Sequence, residues 1–132
     1  MIAILDVSGA LQILLKKEKF HAFNNAVQEA SAVRTPDLFV PELTNTLWKY
    51  CTKGIFSPEE CLQYIKDGLD YISDFIDSKN LWLEAFGEGV KNKHPVYDMY
   101  YAVAARRNSG VLITNDGDLV KICKKLSISY LY

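Results

Sequence analysis

Short apolar runs recur along this chain between longer segments of helical periodicity. Ile2-Ala3-Ile4-Leu5, Leu38-Phe39-Val40 and Val111-Leu112-Ile113 are continuous apolar runs of strand length, and Ile128 to Tyr132 alternates like a final strand. Continuous apolar runs are typical of strands that are buried on both faces, as in a parallel sheet. The pattern therefore predicts a short central parallel sheet.

Helical spacing of apolar residues fills the intervals between these runs. Ser8 is a candidate N-cap for the first helix, and Pro41 fits the first turn of a helix that ends at Gly54. Ser57-Pro58-Glu59-Glu60 is typical of a capping box. Helices between parallel strands indicate an α/β fold with helices on both faces. The remaining predicted helices cover Phe20 to Val33, Ser57 to Ile76, Ser78 to Val90, Val96 to Arg107 and Leu119 to Leu126.

Length and composition are those of an ordinary globular domain. The chain has 132 residues, of which 49% are hydrophobic and 23% charged, so we expect one domain spanning residues 1–132. The formal net charge is −1, whereas proteins that only wrap nucleic acid are usually strongly basic. The charge balance argues against a simple backbone binder, but it permits an enzyme whose acids hold a metal ion.

The cysteines and the apolar runs indicate the cellular compartment. Cys51, Cys61 and Cys123 are odd in number and lack C-x-x-C spacing, which disfavours both a disulfide framework and a thiolate zinc site. The first residues have no basic region of the kind found in signal peptides, and no apolar run approaches membrane-spanning length. We therefore expect a cytoplasmic protein with reduced thiols.

Four acidic residues lie at or near the ends of predicted strands. Asp6 follows the first strand directly, Glu42 lies two residues past Val40, and Asp116 lies three residues past Ile113. Asp98 opens the helix that follows the His94-Pro95 break. Ligands of open parallel sheets bind outside the carboxyl ends of the strands. Each acid alone is explained as a helix cap or turn residue, but together they predict one acidic rim.

Carboxylates that are held close together repel one another unless they take up protons or bind a cation. Oxygen ligands without histidine or cysteine suit hard ions, meaning Mg²⁺ or Mn²⁺, and neither His21 nor His94 falls at a strand end. A magnesium pocket on a neutral protein favours phosphate chemistry. The predicted reaction is hydrolytic phosphoryl transfer, in which a metal ion activates water and neutralises charge on the leaving oxygen.

Four segments resemble the motifs of PIN domains, in particular the VapC-type toxins. The third segment is similar to the Tyr-Asp-x-x-Tyr-x-x-x-Ala stretch of those toxins, and the fourth to a strand followed by Thr-x-Asp and a helix. The order and spacing are kept from end to end of the chain. The four segments are Ile4-Leu5-Asp6-Val7-Ser8, Pro41-Glu42-Leu43-Thr44-Asn45-Thr46-Leu47, His94 to Ala104, and Leu112-Ile113-Thr114-Asn115-Asp116-Gly117-Asp118-Leu119.

The resemblance implies a three-layer α/β/α fold and a toxin-like endoribonuclease that depends on Mg²⁺ or Mn²⁺. It implies an RNA substrate, a homodimer and a cognate antitoxin that holds the enzyme inactive. Asp6, Glu42, Asp98 and Asp116 correspond to the catalytic, metal-binding acids of the family. Ser8 and Thr114 correspond to its hydroxyl residues, which orient an acid or touch substrate, and Asn45 falls where the family often has a polar helix residue.

The chain departs from the family pattern at three positions. Val7 stands where threonine is usual, and Gly9 is expected to loosen the first helix. Asp118 is a candidate fifth acid, which either binds a second metal through water or only begins the last helix. All four principal acids are present, so the resemblance still implies activity.

Two other functions fit parts of the sequence. One is a non-catalytic metal- and RNA-binding module on the same fold. The other is a phosphorylation receiver, which also holds Mg²⁺ in an acidic pocket. A receiver requires paired acids after its first strand and a lysine after a late strand, whereas this chain has only Asp6 and no lysine directly after Ile113.

Lysines and arginines form three local clusters along the chain. They either contact RNA phosphates or form solvated faces and helix ends. The clusters are Lys16-Lys17 with Lys19, Arg106-Arg107, and Lys121 with Lys124-Lys125.

Overall fold

A computed structural model describes residues 1–132 as one parallel sheet between two layers of helices. The five strands pair in the order β3-β2-β1-β4-β5, and every pair is parallel. The elements are β1 (Ile2–Leu5), α1 (Val7–Leu14), α2 (Phe20–Glu29), β2 (Ala32–Pro36), α3 (Phe39–Thr52), α4 (Pro58–Asp70), β3 (Asp74–Ile76), a 3₁₀ turn (Ser78–Asn80), α5 (Trp82–Asn92), α6 (Val96–Arg107), β4 (Val111–Ile113), α7 (Gly117–Leu126) and β5 (Tyr130–Leu131).

Two apolar clusters form the core, one on each face of the sheet. Alternate residues of a strand point to opposite faces, so Ile4 and Leu112 pack against α5, α6 and α7, while Leu5 and Ile113 pack against α1 to α4. The predicted three-layer α/β/α fold is confirmed. Receivers of the flavodoxin-like type have the strand order 2-1-3-4-5, which differs from the order found here.

The second strand is not where the sequence predicted it. The predicted strand Leu38-Phe39-Val40 is wrong, because Phe39 and Val40 begin α3, in which Phe39 is fully buried. The strand is β2, whose polar residues find specific partners: Thr35 Oγ1 donates to the Leu5 carbonyl at 2.7 Å, and Arg34 Nε donates to Asp74 at 2.7 Å. These partners come from distant segments, so local periodicity carried no signal for them.

Several predicted helix ends also need correction. The helix predicted to Val33 ends at Glu29, since Val33 lies in β2, and the helix predicted to Ile76 ends at Asp70. The edge strand β3 follows it and was missed. The helix predicted from Ser78 to Val90 is present as α5, but it begins at Trp82, and Ser78 begins the 3₁₀ turn before it. The final strand covers only Tyr130–Leu131.

Other local predictions hold. Ser57 caps α4 with a complete capping box, in which its side chain accepts from Glu60 N at 3.1 Å and Glu60 Oε1 accepts from Ser57 N at 3.0 Å. Cys51, Cys61 and Cys123 are free thiols. None of the helices has the length and apolar character needed to cross a membrane.

Candidate active site

The four acids follow the carboxyl ends of strands or begin the helices beside them. Asp6 comes directly after β1 and caps α1, and Asp116 caps α7. Glu42 and Asp98 lie in the first turns of α3 and α6. Because β2 ends at Pro36, Glu42 reaches the rim through the start of a helix, and not two residues past a strand as predicted.

Asp6 is the most enclosed of these carboxylates, with 5% of the residue exposed. Its Oδ1 accepts hydrogen bonds from Ser8 Oγ and Gly9 N, both at 2.7 Å. Its Oδ2 accepts from the Thr114 hydroxyl. The N-cap of α1 is therefore Asp6, and Ser8, which was predicted to cap this helix, instead orients the capping carboxylate.

The hydroxyls around Asp6 also tie together the two strand ends. Ser8 Oγ accepts from Asn115 N at 2.8 Å, and Thr114 Oγ1 accepts from Asp116 N at 3.0 Å. Gly9 allows this close approach, since a Cβ there would lie 2.6 Å from the Ile113 carbonyl oxygen. The glycine expected to loosen α1 is required by packing against β4.

Burial raises the pKa of Asp6 from 3.8 to about 6. The hydrogen bonds from Thr114, Gly9 and Ser8 lower it, but they do not offset the loss of solvent, and the charge of Asp116 raises it further. A carboxylate with this pKa binds a proton at mildly acidic pH unless a cation replaces that proton.

Glu42 is held by a buried tyrosine of the opposite helical layer. Tyr101 Oη donates to Glu42 Oε1 at 2.6 Å, and Tyr101 is 3% exposed. Burial raises the pKa of Glu42, the Tyr101 hydrogen bond lowers it, and the charge of Asp98 raises it. Tyr101 thus positions one oxygen of Glu42 at the rim.

Asp98 is held by a histidine that lies just before the start of α6. His94 Nε2 lies 2.7 Å from Asp98 Oδ2. Lys93, in the left-handed region (φ 52°), turns the chain between α5 and His94. Gly89 allows the turned segment to pass close to α5, because a Cβ on Gly89 would lie 3.2 Å from the His94 carbonyl oxygen. Burial raises the pKa of Asp98, and the contact with His94 lowers it.

Electrostatic coupling shows that the acids share one region. The charge of Asp116 raises the pKa of both Asp6 and Asp98, and that of Asp98 raises the pKa of Glu42. No three His, Cys, Asp or Glu side chains lie close enough to hold one ion in the described conformation. Glu42 and Asp98 are instead bound to Tyr101 and His94, so the acids are neighbours without forming a complete ligand set.

Asp118 and Asn45 are both exposed, and only Asp118 is coupled to the acids, since its charge raises the pKa of Asp98. Asp118 is exposed in the first turn of α7, where its N–H donates to Asp116 Oδ1 at 2.9 Å and its carboxylate lies 3.8 Å from Lys121. Asn45 is on the exposed side of α3. It lines an open groove of about 550 Å³ with Val40, Pro41, Thr44 and Trp48.

The sequence did not predict the parts played by Tyr101 and His94. The Tyr101 hydroxyl contacts Glu42, and this contact joins residues 59 positions apart, so local sequence carried no signal for it. His94 was considered as part of the break before α6 and as a metal ligand, but not as a partner of Asp98. It lies outside α6 and reaches Asp98 from the segment that leads into the helix.

Among proteins of known identity, the chain is similar to Ribonuclease VapC3 of Pyrobaculum aerophilum. The two are 25% identical over 120 residues, which cover 89% of this chain and 92% of the relative. No protein-family model matches the chain.

Solved structures share the same architecture. A Pyrobaculum aerophilum protein superposes with a TM-score of 0.74 at 20% identity, covering 92% of this chain and 86% of that one. VapBC2 of Rickettsia felis, bound to a promoter DNA fragment, gives 0.70 at 14% identity and covers 99% and 98%. VapBC-1 of nontypeable Haemophilus influenzae gives 0.67 at 16% identity and covers 99% and 97%. The chain has the fold of VapC-type PIN-domain proteins, and the resemblance that its four motifs indicated is confirmed.

Proposed function

We propose that this chain is a Mg²⁺- or Mn²⁺-dependent endoribonuclease, the toxin of a toxin–antitoxin pair. The observation that carries the proposal is the environment of Asp6. A buried carboxylate with a raised pKa, fixed by two hydroxyls and a backbone amide, lies among three further acids at the carboxyl edge of a parallel sheet. Burial of such a carboxylate lowers the stability of the folded protein, and ionisable groups with strongly shifted pKa values cluster at functional sites. The ribonuclease relative supports the choice of reaction.

The donor set suits a hard divalent ion. Asp6, Glu42, Asp98 and Asp116 offer carboxylate oxygens without a thiolate, which is the chemistry that Mg²⁺ and Mn²⁺ prefer. When bound, the ion would supply charge neutralisation at the phosphodiester and an activated water molecule. Asp118 lies close enough in sequence and in charge coupling to add a water-mediated contact.

The chain's own residues orient these acids. Ser8 and Thr114 hold both oxygens of Asp6, so its carboxylate keeps one plane. Tyr101 holds one oxygen of Glu42, which leaves the other free to face the rim. Hydrogen-bond partners of this kind fix the orientation of metal ligands, and mutating them typically lowers metal affinity or activity tenfold to hundredfold.

Cleavage of total cellular RNA in Mn²⁺ tests the proposal. The wild-type protein should produce discrete fragments that disappear with EDTA and in Asp98→Asn, which keeps the side-chain shape but removes a ligand charge. Asp70→Asn is the matched control, because Asp70 is exposed at the end of α4, just before the start of β3 and so at the opposite edge of the sheet. Full cleavage by Asp98→Asn would contradict the site assignment.

Metal and RNA binding without cleavage would favour the non-catalytic module instead. Calorimetric titration with Mn²⁺ separates the alternatives, since a protein that binds no metal cannot be the proposed enzyme. Retention of Mn²⁺ and RNA binding by an inactive wild-type protein would support the module.

We also propose a protein antitoxin and a homodimer in the cytoplasm. The two VapBC structures of similar fold contain a toxin and its partner, which supports an antitoxin. A homodimer is supported by α5, where Trp82, Phe86 and Val90 form one exposed apolar stripe and are each more than half exposed. Analytical ultracentrifugation of wild type and Phe86→Glu tests the dimer, which the charge should dissociate.

A further inference from the structure

The last strand brings an aromatic side chain to the edge where the acids lie. In the pairing of β4 with β5, Leu131 is opposite Ile113, so Tyr132 lies at the carboxyl edge of the sheet. Its hydroxyl is 3.5 Å from the position of a Cβ on Gly117, the residue between Asp116 and Asp118. More than half of Tyr132 is exposed. The ring therefore lies at the border of the acidic site.

A lysine of the α1–α2 connection covers part of this ring. Lys19 Nζ lies 3.4 Å from the centroid of the Tyr132 ring and 5.9 Å from that of Phe23. The position follows from topology, because α2 has ten residues and runs about 15 Å from Lys19 to the start of β2. Lys19 is thereby at the level of the strands' carboxyl ends.

Lys19 differs in its contacts from the basic residues that are paired with carboxylates. Arg106 and Arg107 bind Glu84, and Lys121 lies 3.8 Å from Asp118, so their charges are already paired. The Lys19 ammonium faces an aromatic ring. A cation that is close to the acids and unpaired with a carboxylate remains available to a phosphate.

The arrangement suits a bound strand. The Tyr132 ring lies between the lysine and the acids, since Lys19 Nζ is 3.4 Å from the ring centroid and the Tyr132 hydroxyl is 3.5 Å from the position of a Cβ on Gly117. A strand whose phosphodiester is held at the acids would therefore pass Tyr132 and bring a neighbouring phosphate beside Lys19. A base of that strand would meet the exposed part of the Tyr132 ring.

We propose that Lys19 and Tyr132 form a subsite for single-stranded RNA beside the acidic site, with a base stacked on Tyr132 and a phosphate bound by Lys19. The subsite rests on the proposed function, since it takes the same substrate. Base–aromatic stacking tolerates different sequences, so this contact supplies affinity and register along the strand without reading the bases.

Binding without cleavage tests the subsite. The assay uses full-length Asp98→Asn protein in EDTA and a fluorescein-labelled single-stranded RNA of mixed sequence and about 12 nucleotides, read by anisotropy across a salt series. Tyr132→Ala should weaken binding about tenfold, while Tyr132→Phe retains the ring and should bind nearly as wild type. Lys19→Ala should reduce the slope of log K against log salt by about 0.7.

Lys124→Ala is the matched control, because Lys124 lies in the last turn of α7 at the opposite edge of the sheet. Equal affinity and salt slope for Lys19→Ala and Lys124→Ala would overturn the subsite. Loss of thermal stability in Tyr132→Ala with unchanged RNA affinity would also overturn it, as the pair would then be a structural clamp.

Wild-type cleavage in Mn²⁺ is measured separately. If the wild-type protein cleaves RNA and both subsite variants bind RNA with unchanged affinity, the subsite is rejected and the proposed enzyme stands. If RNA binding depends on Lys19 and Tyr132 but the wild-type protein does not cleave RNA, the subsite stands and the proposed enzyme is rejected.

Discussion

Replacing Asp6 with asparagine keeps the shape of a buried side chain but removes its charge. Burial raises the Asp6 pKa from 3.8 to about 6 in the folded protein. Between these two values the folded state binds more protons than the unfolded state. The stability associated with Asp6 is therefore fully present below pH 4 and is lost as pH rises to 6.

The size of the effect follows from the pKa shift. Two pKa units at 1.36 kcal/mol each correspond to about 3 kcal/mol of lost stability above pH 6. Asparagine avoids this loss but gives up an acceptor for the Thr114 hydroxyl, which costs about 1 kcal/mol. We expect Asp6→Asn to be more stable than wild type by about 2 kcal/mol at pH 8, or roughly 5–8 °C in Tm.

Thermal unfolding in EDTA at pH 4, 6 and 8 measures the difference. Asp6→Asn should be less stable than wild type at pH 4, by up to about 1 kcal/mol, and should become the more stable protein by pH 6, with nearly the same advantage at pH 8. Asp70→Asn is the control, since Asp70 is exposed and should show no such change with pH. At pH 8, added Mn²⁺ should raise the Tm of wild type and leave that of Asp6→Asn unchanged, because ligands stabilise only the state that binds them.

Two results would refute this reasoning. If Asp6→Asn is less stable than wild type at every pH, the hydrogen bonds from Ser8, Gly9 and Thr114 stabilise the carboxylate more than burial penalises it. A difference that does not vary with pH would mean that Asp6 titrates alike in the folded and unfolded states.

Substitutions at three further positions test individual contacts. Gly9→Ala should lower the free energy of unfolding in urea by about 2 kcal/mol, since its Cβ would lie 2.6 Å from the Ile113 carbonyl oxygen. Gly87→Ala, with nothing within 4 Å, should raise it by about 0.5–1 kcal/mol, and the opposite order would contradict the packing argument. His94→Ala should weaken Mn²⁺ affinity about tenfold in a calorimetric titration, and His94→Gln should restore much of it by donating to Asp98. Unchanged affinity in His94→Ala would rule out a positioning role.

Segments with strong local signals could be predicted from the sequence. Ile2–Leu5 and Val111–Ile113 are strands because continuous apolar residues fill both faces of a central sheet position. Ser57 and Glu60 define a helix start through contacts only three residues apart. The parallel α/β class follows from the alternation of such segments.

The second and third strands required the tertiary structure. Ala32–Pro36 carries Arg34 and Thr35, whose polar groups are satisfied by Asp74 and the Leu5 carbonyl, far away in sequence. Asp74–Ile76 lies at the sheet edge and is too short for its alternation to be distinguished from the end of the preceding helix. Strand pairing is non-local, so these segments became strands only when the sheet offered partners.

Asp6, Asp98 and Asp116 were visible in the sequence because each follows or begins an element with a clear signal, whereas Glu42 was placed through a predicted strand that proved to be the start of α3. The surroundings of these acids were not visible in it. Tyr101 meets Glu42 only because α6 packs across the sheet from α3, and Thr114 meets Asp6 only because β4 lies beside β1. The sequence by itself determined which carboxylates approach the rim, and the tertiary structure decided which are buried, which are held and how far each pKa rises, since burial and long-range contacts exist only in the folded chain.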